Sequence, residues 1–317
     1  MKTSTSKRLR WNVAIWLAAG LFMTSTAGMA AGPIMPDPKA EARHQPQIEE
    51  TANGIPLVNI TAPSSGGVSR NEYETFNVPD KGAILNNSYT LSKTELAGYV
   101  QGNNNMAERP AKIIVNEVTG TGSTSMDGFL EVAGNRADVV IANPNGITVN
   151  GGGFINTGKA FLTTGKPVYD GEDHLQRFDI TGGDILIEGK GLGGKETGSL
   201  AILSRAVKIN AGIWAKDLHI TTGANTVDAK TLEASAIEGK GERPAFALDT
   251  AAIGGMYAGR ITLVGTEKGL GVNNSGTWSA EDNLTLDWNG DLKNSGTIYS
   301  KGNTDLRASR LENDKTI

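Results

Sequence analysis

Asn274-Ser275-Gly276-Thr277 returns intact as Asn294-Ser295-Gly296-Thr297, a spacing of 20 residues. An interval that short cannot hold an independent domain. Each repeat is one supersecondary unit that buries its apolar face only by stacking on the next. Short β-type runs separated by Gly, Asn and Asp fill the rest of the chain: Lys112 to Val118, Asp138 to Ile141, Asp184 to Glu188, Ala206 to Asn210, Asp217 to Thr221, Arg260 to Val264 and Leu284 to Trp288. No helix of convincing period links them, and Gly, at 41 of 317 residues, is nearly twice its usual share of about 7%. The pattern predicts an all-β, right-handed parallel β-helix, a solenoid with an N-terminal β cap and hairpins outside the coil. In it Leu284 and Leu286 point inward, Thr285 and Asp287 point outward, and Leu284 is followed by Leu306 one coil on. Asn274 and Asn294 fall in register, so their amides can bond along the axis. A β-sandwich with coincidental turns is the competing arrangement. Recurrence of a whole tetrapeptide argues against it.

The first residues carry an address. Lys2, Lys7, Arg8 and Arg10 precede an apolar stretch from Trp11 to Met23, followed by small Ala27, Gly28 and Ala30. That is the order of a secretory signal, with residues 1–30 removed by cleavage after Ala30. A membrane span needs about 20 apolar residues, and this stretch is shorter and interrupted by Asn12. Cleavage removes four of the 30 basic and none of the 34 acidic residues, leaving 26 against 34, a net charge of −8. Nucleic acid is therefore not an expected partner. With no cysteine in an exported chain, stability must come from burial and backbone hydrogen bonds.

Residues 31–54, with Pro33, Pro36, Pro38 and Pro46, read as an irregular leader. Residues 55–270 follow as the main body, with Ile55 to Leu91 as its cap, and 271–317 as the start of the 20-residue coils. The chain stops at Ile317 shortly after a repeat corner, so a longer native product is expected.

The apolar run Asp138 to Ile141 leads into Ala142-Asn143-Pro144-Asn145-Gly146-Ile147. Pro fixes φ, while Asn and Gly tolerate left-handed geometry, so the chain bends sharply there.

Familiar catalytic patterns fail one by one. Gly189-Lys190-Gly191-Leu192-Gly193-Gly194-Lys195 matches most of a phosphate loop, but Glu196 stands where a Mg²⁺-binding hydroxyl belongs and Gly198 interrupts the helix that should follow. It reads as a hairpin tip or a solenoid loop. His44, His174 and His219 lie far apart in sequence, with no metal-ligand spacing. Asp170 and Asp173 flank Gly171 and Glu172, which suggests a solvated loop. No catalytic residue, metal or cofactor is expected. The alternative function, an extracellular β-helix enzyme acting on polysaccharide, would need clustered carboxylates beside a basic residue, and the sequence shows no such cluster.

From about Gly54 onward the chain resembles the secretion domain of two-partner secretion exoproteins, the group of filamentous haemagglutinins, large haemolysins and contact-dependent inhibition toxins. The resemblance is carried by Phe76-Asn77-Val78, Ile84-Leu85-Asn86-Asn87-Ser88, Ile114-Val115-Asn116-Glu117-Val118, Ala142 to Ile147, Gly153-Phe154-Ile155-Asn156, Leu203-Ser204-Arg205-Ala206-Val207, Ile213 to Leu218 and Gly254 to Gly259. Where the family reads Asn-Pro-Asn-Leu, this chain has Asn103-Asn104-Asn105-Met106, losing the stiffening Pro. Many relatives also carry C-x-x-C where Val149 and Gly152 stand here.

The resemblance implies secretion through a cognate outer-membrane transporter, a β-barrel with periplasmic domains that recognises the chain while still extended. Asn103 to Met106 and Asn143 to Ile147 are the implied recognition or turn motifs. It further implies handover from the inner-membrane general secretion machinery, a periplasmic transit state and a surface or extracellular end point. A host or neighbouring-cell receptor would be met through regions beyond this chain.

Overall fold

The computed structural model describes residues 32–107 and 109–317; the signal segment 1–30 and its cleavage point Ala30 lie outside them. The unit Pro33–Ile317 is a parallel β-helix whose coils turn through three faces. One face stacks Ala83–Asn87, Phe129–Gly134, Gly152–Ile155, Leu192–Gly194 and the start of Gly212–Thr222. The second stacks Val68–Phe76, Ile113–Val118, Ala137–Ala142, Thr157–Thr163, Ser199–Ser204 and the end of Gly212–Thr222. A third runs from Thr124–Met126 and Ile147–Val149 through Asp184–Ile187 to Arg310–Asn313. All of these ladders are parallel.

Period-2 alternation builds the core. Ile141, Leu162, Ile202, Ile220, Leu263 and Leu286 occupy successive coils in register and are buried to the last few square ångströms, one aliphatic stack along the axis. Leu284 and Leu286 do point inward, with Thr285 half-buried and Asp287 exposed. The partner of Leu306 is Leu286, however, and Leu284 stands opposite Thr304. The repeat is 20 residues at that face too, and the expected pairing of Leu284 with Leu306 overshot it by one inward position. Asn274 and Asn294 form the expected ladder: Asn274 donates its amide to Asn294 Oδ1 at 2.8 Å, and Asn294 donates to Asn313 Oδ1 at 2.7 Å.

Val139-Val140-Ile141 is apolar throughout because both of its surfaces are covered. Val139 and Ile141 face the axis, while Val140 faces a second cluster with Val115, Phe161 and Phe178. That cluster is closed by an antiparallel sheet lying outside the coil, made of Lys166–Tyr169, Leu175–Ile180, Asn225–Asp228 and Ala234–Ala236. A smaller hairpin, Ser92–Thr94 with Gly98–Val100, covers Ile84 and Ala133 on another face.

The leader is not irregular. Ile34–Pro36 pairs antiparallel with Val68–Phe76, and Gln47–Glu50 pairs antiparallel with Pro56–Asn59. The intervening residues 42–44 form a single 3₁₀ turn. These two strands cover the edges of the first coil, so the cap begins at residue 33. The segment from Ile55 is the first coil itself, since Pro56–Asn59 and Val68–Phe76 already pair parallel with the next. Proline density concealed this, yet a strand at the end of a sheet can lack an N–H on its outer side without losing a bond.

Truncating the central stack should be costly and its outward neighbour should not. Leu263→Ala is expected to lower the unfolding free energy by about 3 kcal/mol through the cavity it leaves. Thr262→Ala should change it by less than about 0.5 kcal/mol. Urea unfolding of the two variants checks the contrast.

Candidate functional site

Two corners built around asparagine carry the sequence signature, and they are the same device. At the end of Ala137–Ala142 the chain reaches Asn143, whose side chain is wholly buried. Its Nδ2 donates to the Gly122 carbonyl at 2.9 Å and to Thr124 Oγ1 at 3.0 Å, both on the preceding coil. Its Oδ1 accepts the backbone N–H of Asn145 at 2.9 Å, and the Gly146 N–H closes the turn onto the Asn143 carbonyl at 3.1 Å. Gly146 sits at φ +109, open to glycine and strained for other residues. Asn145 donates its own amide to Gly120 O at 2.9 Å, and Ile147 re-enters the core.

Asn103 repeats each element without the proline. Its buried Nδ2 donates at 2.8 Å to the carbonyl of Ile60 on the preceding coil and at 2.9 Å to that of Asn86 on its own. Its Oδ1 accepts the Asn105 N–H at 3.0 Å, the Met106 N–H bonds the Asn103 carbonyl at 3.1 Å, and Met106 is buried. Asn104 stands where Pro144 stands, both exposed at the outer point of the turn.

The consequence is chemical. A primary amide offers two donors and an acceptor, and in both leading Asn residues these are turned inward onto groups of the same chain, all backbone except the Thr124 hydroxyl. The folded corners present only Asn104, Pro144 and parts of Asn105 and Asn145 to solvent.

A second constellation was invisible in sequence. His44, from the leader, is buried with Nδ1 3.0 Å from Glu72 Oε1, and Glu72 pairs with Arg70 at 2.9 Å. Arg70 Nε lies 3.4 Å from Glu117, whose carboxyl is pushed up by burial, against the pull of Arg70. The loop holding Asp170, Asp173 and His174 is a hairpin tip folded onto this group, so His44 and His174 are neighbours of one cluster despite their separation. Clustered carboxylates beside a basic residue therefore exist, contrary to the sequence reading. They are bound to one another under the hairpin, and among the described residues no group of three or more such side chains is placed to hold a metal ion. Only their chain separations, near 30 and 130 residues, hid them. The Gly189 to Lys195 tract is a solenoid corner running into a strand, with Leu192 buried and paired to Gly152 and Ile213.

The family model for the TPS secretion domain matches residues 33–298. The chain belongs to the TPS secretion domain family. Its start at residue 33 coincides with the first cap strand, which places the leader inside the secretion domain. The secretion domain is 43% identical over 298 residues to Toxin CdiA of Yersinia pestis, covering 87% of this chain and 9% of that protein. It is 44% identical over 260 residues to the 16S rRNA endonuclease CdiA of Enterobacter cloacae subsp. cloacae, and 40% identical over 259 residues to the tRNA nuclease CdiA-2 of Burkholderia pseudomallei. Those alignments cover 81% of this chain and 8% of each relative, so the chain spans less than a tenth of the proteins it matches. Among solved structures it superposes on the crystal structure of a filamentous hemagglutinin secretion domain with a TM-score of 0.74 and 32% identity, covering 89% of this chain and 97% of the other.

The two corners make opposite predictions. Asn143→Ala strands the buried Thr124 hydroxyl and the partly buried Asn145 N–H and should cost about 1–3 kcal/mol. Asn104→Pro, copying the Pro144 corner at an exposed position, should stabilise by about 0.4–1 kcal/mol by restricting the unfolded chain. Equilibrium denaturation distinguishes the signs.

Proposed function

We propose that this chain is the export module of a large exoprotein, read by a cognate outer-membrane barrel transporter while extended and folding into its coil outside the cell. The observation that carries the reading is the matched pair of Asn corners within a TPS secretion domain. In the folded coil the amides of Asn103 and Asn143 are consumed; in an extended chain they are free. Recognition through these side chains therefore belongs to the state before folding, when strand addition to the transporter's periplasmic domains is also open to the backbone.

The physics of the fold suits that order. Parallel coils depend on non-local pairing and form slowly, and a chain without cysteine cannot be locked prematurely in the periplasm. Once outside, each coil stacked on the one before it adds free energy that opposes backsliding. The signal segment delivers the chain through the inner-membrane general secretion machinery. The domain itself performs no catalysis in this reading. In this reading the exoprotein's activity, and any receptor contact on a neighbouring or host cell, belong to regions beyond the secretion domain; the toxin and nuclease names of the relatives support this for the activity. No nucleic acid is bound by this segment.

Co-production with the cognate transporter tests the reading. The full chain should reach the medium only when the transporter is present. Asn145→Ala, which removes an exposed amide, should reduce release severalfold while leaving the purified domain folded. Release that is independent of the transporter would overturn the proposal.

A further inference from the structure

The outer sheet does more than cover Phe161. Its first hairpin, 166–180, carries its tip back to the N-terminal end of the coil, where contacts with the cap and with the first coil converge. Arg43 donates Nη1 to Asp173 Oδ2 at 2.8 Å, and His44 Nε2 lies 3.9 Å from the same oxygen. Ser64 donates to the Asp173 carbonyl and Ser65 to the Glu172 carboxylate, each at 3.4 Å. The His174 ring lies so close on Gly66 that a Cβ there would stand 1.9 Å from it. Arg70 places its guanidinium 4.4 Å from the centre of the Tyr169 ring.

The tip is shaped for this contact. Asp170 accepts the N–H groups of Glu172 and His174, which folds the turn, and Asp173 takes φ +58, a left-handed conformation uncommon for a residue with a Cβ. That turn aims the Asp173 carboxylate at the leader. Beneath it His44 is only 4% exposed and is bound to Glu72, so the tip closes the slot in which the leader's single 3₁₀ turn is seated.

We propose that the 169–174 tip is a strap that locks the N-terminal cap, and that the cap becomes stable only after the chain through His174 has folded. Arg43 and Asp173 are 130 residues apart, so the cap is secured by a segment that follows much later in the chain. Until the strap closes, the leader holds the coil by two short edge pairings, three and four residues long, and by single bonds such as the Asp37 N–H on the Glu72 carbonyl and His44 on Glu72. Those edges stay free to open. The coil can then grow from its first turns while the cap lags. This inference stands on contacts within the chain and does not require the transporter reading.

Hydrogen exchange on the purified full chain, without any transporter, tests it. In pulse labelling during refolding, amides of residues 34–50 should gain protection together with those of 166–180. Protection of 34–50 well before the hairpin would overturn the proposal. At equilibrium Asp173→Gly is the informative variant, because glycine accepts φ +58 without strain while the carboxylate is lost. Exchange at 34–50 should rise about tenfold with residues 199–298 unchanged, as expected for loss of one charge-assisted contact to a locally opening unit. Arg43→Ala should give a similar rise, and the double variant no more than either alone. Unchanged exchange at 34–50, or an equal rise along the whole coil, would contradict a strap.

Discussion

Pairing between one coil and the next is the interaction on which the rest of this molecule depends. No coil closes a sheet on itself: Gly212–Thr222 finds all of its ladder partners in the coils before and after it, and Ile220 is buried only because Ile202 and Leu263 lie above and below. Stability is therefore a sum of neighbouring interfaces with a weak point at each end. At the N-terminal end the chain answers with antiparallel edge strands from a proline-rich leader, an economical solution because these residues need to satisfy only one side of a ladder.

The corners are the second requirement. Where the backbone turns between faces, carbonyls such as that of the buried Ile60 leave the ladder, and a buried unpaired carbonyl costs about 1–3 kcal/mol. Asparagine solves this locally, since one amide reaches back to the preceding coil while its oxygen holds the turn ahead. Asn103 and Asn143 do this at single corners, and Asn274, Asn294 and Asn313 do it as a ladder. A residue type that pins the folded coil so completely can serve as a label only before folding. In the proposed reading the same side chains connect the architecture to export.

Much of this was legible in the sequence, for identifiable reasons. The exact return of Asn-Ser-Gly-Thr gave the length of the last coils, and alternation around Leu286 showed which residues face the axis there. The turn at Asn143 to Gly146 followed from residue chemistry alone. Three features did not. The strands at Ile34 and Gln47 are too short and too proline-flanked for a periodic signal, and they exist because an exposed edge is available to pair with. The register of Leu306 needed the partner strand to be seen. Above all, His44, Glu72, Arg70, Glu117 and Asp173 come together through coil stacking and a folded-back hairpin, and nothing in their spacing announces it.

The account places recognition before folding, and time-resolved capture examines that most directly. Chain diluted from urea would be presented at increasing delays to the immobilised periplasmic domains of its transporter, with folding followed in parallel by tryptophan fluorescence. Capture is predicted to decay at the rate at which the coil forms and to vanish for the native protein. Capture of the fully folded chain at the same level as the freshly diluted one would contradict the account.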